Sequence, residues 1–387
     1  MPHWHIFTPE YPPDLGGVAG YTKQVAEGLI EAGDQVIVWA PSTRTKQLEG
    51  EPHYVRRDLA GWSIASLCRV WRALERYEAP RHLLVQWVPH GYGWNSMNVP
   101  FCLWIFLRAC RGDRVELMIH EAFLSFNRRQ FRQNVVAVVH RLMMVALLGA
   151  TKQAWTAIPA WGKAVKKYQL GRKIRVEWLP VPSNVPVSAD REQVDRLRDS
   201  LSRGSKTIIG HFGTYSSHHQ ESLSRVLACI LDADPNRVLL LLGRNGEEFC
   251  QRFLRRNPSF SERVAAKGIL PDRQLSIHLA ACDLVVQPYP DGASSRRTTL
   301  MAALEHGVPV VTTYGTSTEE FWLKSGAVAL APAEEPESVA SAVEQVIRDV
   351  DRRTALRERG RSVYYEMFDV GKTVARLREH QLGFVRN

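Results

Sequence analysis

Little in this chain of 387 residues would tie it together covalently. Its six cysteines, Cys68, Cys102, Cys110, Cys229, Cys250 and Cys282, are scattered with no short paired spacing. That pattern argues against a zinc framework and a disulfide scaffold, and a reducing cytoplasm is the expected compartment. No apolar run reaches the roughly 20 residues a membrane span needs. The nearest, Val135 to Ala150, contains His140 and Arg141 and reads as a buried or interfacial helix. The opening "MPHWHIFTPEYPP" lacks the basic region and apolar core of a signal peptide. Zinc-finger spacing, RNA-binding signatures, low-complexity tracts and internal repeats are missing too, so nucleic acid is not an expected partner.

What is present is an ordinary globular composition, 45% hydrophobic and 23% charged, with lopsided charge. Residues 1–185 carry 23 Lys and Arg against 14 Asp and Glu, whereas residues 186–387 carry 27 against 26. A basic first half suggests an anionic partner. Arg128, Arg129, Arg132, Lys163, Lys166 and Lys167 fit either solvated helix faces or peripheral contact with the inner face of a membrane.

Short apolar runs alternate with helical periods throughout, the pattern of an α/β protein with parallel sheets. "HWHIFTP", "QVIVWAP", "HLLVQWVP", "RVELMIHEAF", "QAWTAIP" and "RVEWLPVP" read as strands in a first series. The proline-rich stretch 180–190 reads as a linker, after which "KTIIGHFG", "RVLLLLG" and "LVVQPYP" begin a second series. Two doubly wound, Rossmann-like domains facing a cleft are expected, with ligands outside the carboxyl ends of the strands. The length is right for two domains.

Several clusters fall at those ends. Gly16 and Gly17 lie in a loop that leads into a helix whose apolar spacing runs from Thr22 to Ala32, and they fit either close approach to a ligand phosphate or sugar, or a tight turn. His120 ends an apolar run and fits either a sugar contact or a structural role. Gly213 and Thr214 follow another strand, and Arg244 follows a third as a phosphate candidate or an exposed turn residue. The adjacent His218 and His219 lack the further partners a metal ion needs, and no metal is expected.

"DGASSRRTTLMAALEHGVPVVTT", residues 291 to 313, is the most specific stretch. It reads as a turn, a helix that Ser294 or Ser295 can cap, and a strand. Arg296, Arg297 and Thr298 then lie in the first turn, where each positive charge is unfavourable by about 0.3–1 kcal/mol. A bound anion removes that penalty, since guanidinium groups take phosphate oxygens bidentately. Pairing of one arginine with Asp291 is the competing arrangement.

These pieces resemble, in order and through nearly the whole chain, the family-four (group 1) glycosyltransferases of the GT-B fold. The resemblance rests on "EYPPDLGGVAGYTKQVAEGLIEAGDQVIVWAP", "HE" at 120–121, "LPVPSNVP", and "GILPDRQLSIHLAACDLVVQPYP" through "ALEHGVPVVTT". It implies an acceptor-side domain over 1–182 and a nucleotide-sugar-binding domain over 183–365. A final helix in 366–387 would pack back on the first domain. It also implies sugar transfer from a nucleotide diphosphate sugar, with retention and without a metal or other cofactor, to a glycan, lipid-linked or small-molecule acceptor. Gly17 would face the donor and His120 the sugar. The family's Glu-x7-Glu pair is absent, Ser294 and Ala302 standing at its positions, and Thr214 and His218 lie near the place of its Arg and Lys. Arg296 and Arg297 are the expected replacement for those cations. The alternatives are a non-catalytic GT-B partner or carbohydrate-binding protein, and a nucleotide-sugar epimerase.

Overall fold

The computed structural model describes residues 3–14, 16–42, 51–188, 190–202, 206–216 and 220–385. The chain divides into two compact units, Met1–Pro180 with Val370–Asn387, and Val181–Asp369. The first unit runs β1 (His3–Phe7), α1 (Gly17–Glu31), β2 (Gln35–Pro41), β3 (Val55–Leu59), α2 (Ile64–Leu74) and β4 (His82–Trp87). It continues through α3 (Val99–Cys110), β5 (Arg114–Ile119), α4 (Phe131–Ala150), β6 (Gln153–Thr156), α5 (Pro159–Lys166) and β7 (Arg175–Trp178). In the second unit come α6 (Arg191–Ser202), β8 (Thr207–Phe212), α7 (Gln220–Ala233), β9 (Arg237–Leu242), α8 (Gly246–Arg256), β10 (Val264–Lys267) and α9 (Asp272–Ala280). Then follow β11 (Leu284–Gln287), α10 (Thr298–Glu305), β12 (Val310–Tyr314), α11 (Glu320–Ser325), β13 (Ala329–Pro332), α12 (Pro336–Arg348) and α13 (Val350–Val363). The last helix, α14 (Val370–Val385), belongs to the first unit.

Both sheets are parallel throughout. The first has the order β3-β2-β1-β4-β5-β6-β7 and the second β10-β9-β8-β11-β12-β13. The order of strand addition reverses between β1 and β4 in one and between β8 and β11 in the other, and a crevice forms at such a switch point. Central strands such as β4 and β9 are buried along their whole length, as expected of a sheet covered by helices on both faces. In the first unit α14 packs on α1, so closely that a Cβ on Gly28 would lie 2.8 Å from Val374. Arg376 donates to the Trp178 carbonyl at 2.9 Å, and Arg378 pairs with Asp34 at 3.1 Å.

Helix α1 begins at Gly17, a turn and a half before the Thr22 start that its apolar spacing suggests, and β3, α2 and α3 add elements that the strand pattern did not announce. Of the 180–190 linker, Ala189 lies outside the described residues. Asn98 caps α3 by accepting from Phe101 N–H at 3.0 Å.

A buried ionic network fixes the amino-terminal edge of the first sheet. Asp113, fully buried, accepts from Arg81 at 2.9 Å and from Arg108 Nε at 2.6 Å, while Arg108 also reaches Glu75 and lies over the Trp71 ring at 4.4 Å. Removing the shared carboxylate leaves two buried guanidiniums with only the half-exposed Glu75 as counter-charge. Asp113→Ala is therefore expected to lower unfolding free energy by about 3–5 kcal/mol, measured by urea titration. A loss below roughly 1 kcal/mol would show that Glu75 alone neutralises the pair.

Candidate functional site

In the second unit, the loops after β8 and β11 enclose a cavity of about 270 Å³ at the reversal of strand order. Gly213, Thr214, Arg296, Arg297 and Thr298 line it together with His211, Gln287, Tyr289 and Thr299. The structure thus gathers five of the residues singled out in this half of the chain. Arg244 is exposed on the loop after β9 and is not part of this lining. His218 and His219 lie outside the described residues. Among the described residues, no group of three His, Cys, Asp or Glu side chains converges as metal ligands do.

The arginine loop is set by its turn. Gly292 has φ +90°, and a Cβ there would fall 2.1 Å from Thr318 Oγ1 and 2.4 Å from Gly315 N, so only glycine fits. Ala293 N–H donates to the Thr313 carbonyl at 2.7 Å and Ser317 N–H to that of Asp291 at 2.8 Å, which ties the loop to the end of β12. Neither serine caps the helix. Helix α10 starts at Thr298 with Arg297 at its cap position, and no side chain among the described residues caps it. Ser294 is fully buried with its hydroxyl unpartnered. Ser295, also buried, donates its N–H and hydroxyl to Glu319, at 2.9 and 2.5 Å to Oε1. Ser295 therefore anchors the loop to Glu319, and neither serine is among the residues that line the cavity.

Asp291 pairs with both arginines, through Arg296 Nη2 at 2.8 Å and through Arg297 Nη2. Burial pushes the Asp291 carboxyl up, but Arg297, the Ser317 hydroxyl and Arg296 outweigh it and hold the group below its ordinary value. Arg297 also lies over the Tyr289 ring at 4.5 Å, and the Tyr289 hydroxyl meets Thr299 Oγ1 at 2.8 Å. One carboxylate thus fixes two guanidiniums, leaving a net positive charge beside an uncapped helix N-terminus. Among the described residues, the Nε–H groups of both arginines are buried without an acceptor, and His211 Nδ1 is buried without a partner. Unpaired buried polar groups are costly, and the three residues that carry them all line one cavity.

In the first unit the glycine loop has its own anion. Glu10 Oε1 accepts from Val18 N–H at 3.0 Å and Ala19 N–H at 3.1 Å, closing the N-terminus of α1. Gly16 makes room for that carboxylate, since a Cβ there would lie 2.0 Å from Glu10 Oε1, while the space beside Gly17 is open. His120 follows β5, where its Nε2–H donates to Gln86 Oε1 at 2.8 Å and its ring meets Tyr21 edge-on at 4.8 Å. Burial lowers its pKa to about 3, so the imidazole is neutral. The sequence reading missed His211, Tyr289 and Glu319, the last because its partner lies 24 residues away in the chain.

Residues 206–349 match the family model described as Glycosyl transferases group 1. No curated protein sequence matches the chain. Among solved structures, sucrose-phosphate synthase from Thermosynechococcus elongatus is 16% identical, covering 99% of this chain and 100% of its own, with a TM-score of 0.74. HepE from Anabaena in complex with UDP-glucose is 15% identical, covering 98% and 99%, with a TM-score of 0.70. The α,α-trehalose 6-phosphate synthase from Burkholderia multivorans is 13% identical, covering 99% and 98%, with a TM-score of 0.69. At these identities the likeness shows the fold, which is GT-B.

Four buried histidines give the fold a defined response to acid, His140 being lowered to about 4 chiefly by burial. Burial lowers His5 and His120 to about 3 and His211 to about 4, all from 6.5, with nearby positive groups adding to the shift at His5. As pH falls below 6.5, the unfolded chain binds protons that the folded chain refuses, so stability is lost from there downward until the folded values are reached. Each histidine contributes up to about 1.4 kcal/mol per pH unit in that window. The thermal midpoint should fall steadily from pH 6.5 to 4, with a shallower slope in His120→Gln. A midpoint level across that interval would contradict the assignment.

Proposed function

We propose that this chain, which has the GT-B fold and a group 1 glycosyl transferase domain over residues 206–349, transfers a sugar from a nucleotide diphosphate sugar to an acceptor. The observation that carries this reading is the pair of guanidiniums fixed at the open end of α10, inside a cavity at the strand switch point. A diphosphate placed there meets Arg296, Arg297 and the first N–H groups of α10. As the bond to the sugar breaks, negative charge grows on the departing diphosphate, and donors already in position stabilise it without rearranging. The same cations make transfer independent of a metal ion, and we read it as retaining, as the family resemblance implies. The bound UDP-glucose of HepE supports a nucleotide sugar as donor. His120, neutral and oriented by Gln86, is suited to a hydrogen bond with a sugar hydroxyl.

One observation favours a non-catalytic, carbohydrate-binding role instead. Ser294 and Ala302 are both fully buried, and Glu319, the carboxylate bonded to this loop, is engaged by Ser295. Turnover of a nucleotide sugar, followed by release of nucleoside diphosphate, separates the two readings.

The arginines can be tested without knowing the acceptor. Arg296→Ala/Arg297→Ala should weaken nucleoside diphosphate binding on the order of a hundredfold or more, since hydrogen bonds to charged groups contribute about 1.5–3 kcal/mol each. The measurement is thermal shift or calorimetry on folded protein, and unchanged affinity would sink the assignment. Asp291→Asn removes the anion that competes for both guanidiniums. It should tighten nucleoside diphosphate binding by roughly tenfold. Weaker binding would mean that the carboxylate is needed to hold the arginines in place.

A further inference from the structure

Helices α3 and α4 pack side by side in the first unit and are covered on one side only. Their inward stripes, with Phe101, Ile105, Met144 and Leu148, are fully buried in the core. Their outward stripes are apolar as well. Leu103 and Leu107 on α3, and Phe131, Val135, Val138 and Leu142 on α4, are each between 43% and 81% exposed. A surface helix ordinarily puts charged residues on that face, and a contiguous apolar patch marks an interaction site. Between the two helices lies a groove of about 290 Å³, walled by Leu103, Phe106, Val145 and Ala146 and closed by Leu170 and Arg172.

The segment that builds and follows α4 carries charge of one sign. Residues 122–176 contain eleven Lys and Arg and no Asp or Glu. Asn127 N–H donates to Asn134 Oδ1 at 2.8 Å and Gln133 Nε2 to the Ser125 carbonyl at 2.9 Å, folding the preceding loop onto the start of α4. The exposed Arg128, Arg129 and Arg132 are thereby set at one end of the apolar stripe, and Arg172 lies at the groove. A second copy of the chain would bring like charges together. An anionic lipid surface offers both missing partners, phosphates for the arginines and an acyl boundary for the leucines. Helix α4 is long and apolar enough to cross a membrane, but its inward stripe belongs to the core, so contact is peripheral.

We propose that the α3–α4 face of the first unit docks on an anionic lipid bilayer, with Leu103, Leu107, Val138 and Leu142 entering the interface and Arg128, Arg129 and Arg132 binding its phosphates. The full chain should float with vesicles of phosphatidylglycerol and phosphatidylcholine, not with phosphatidylcholine alone, and added salt should weaken the binding. Arg128→Gln/Arg129→Gln/Arg132→Gln should bind on the order of a hundredfold more weakly. Leu107→Ser/Leu142→Ser should lose binding with its thermal midpoint retained; if it does not fold, the arginine variant, altered only at exposed side chains, decides. Both variants should keep the wild-type response to nucleoside diphosphate, which separates this inference from the assignment of the donor site. Absence of flotation, or equal flotation with neutral vesicles, would overturn the proposal. So would a lipid-free dimer that the leucine substitutions dissolve.

Discussion

Parallel pairing is the constraint on which the rest of this molecule depends. A parallel strand can be followed by its neighbour only after the chain has crossed a whole face of the sheet, so helices cover both faces and the strands become buried on both sides. The interiors of β4 and β9 leave no place for exposed polar chemistry. Polar residues that need a ligand must gather at strand ends, and the reversal of order between β8 and β11 separates two loops there. Those loops carry Gly213 and Thr214 on one side and the arginine turn on the other.

Two helix N-termini near strand ends show how the same local physics is resolved differently. Helix α1 follows the glycine loop and is closed by the carboxylate of Glu10, an anion the chain supplies itself. Helix α10 has no such cap, and Asp291 turns instead to the two guanidiniums in front of it. The difference matters because an internal carboxylate satisfies the donors it touches and competes with any outside anion. At α10 the carboxylate orients the cations but leaves their Nε–H groups and the helix end unmet. That asymmetry is why the diphosphate is assigned to the second unit and not to the glycine loop.

The alternation of apolar runs and helical periods was enough to read the parallel sheets, because a strand buried on both faces has to be apolar along its length. Strand β3, with the sequence VRRDL, alternates buried ends with polar middle residues and lacked that signal. The arginine turn was legible as a unit, yet the serines in it were misread as caps. The role of Ser295 depends on Glu319, whose approach from the start of α11 has no local signature. His211 escaped notice for a similar reason: it is the penultimate residue of β8, inside an apolar run, and only the sheet geometry turns it toward the cavity.

Net charge was legible from the start, but its meaning depends on which charges are paired. In the second unit, exposed helices carry acid and base a turn apart: Glu192 with Arg196, Glu221 with Arg225, Glu320 with Lys324 and Glu344 with Arg348. Such pairs each contribute only a few tenths of a kcal/mol, and they are the ordinary way a solvated helix face is built. Helices α4 and α5 could be built the same way without cost to the core, since their outward positions touch nothing inside. They have no acid at all, and α4 places leucine and valine where a solvated helix would place glutamate and lysine. Folding does not require that arrangement, and the proposed docking on a surface that is negatively charged and apolar beneath accounts for it.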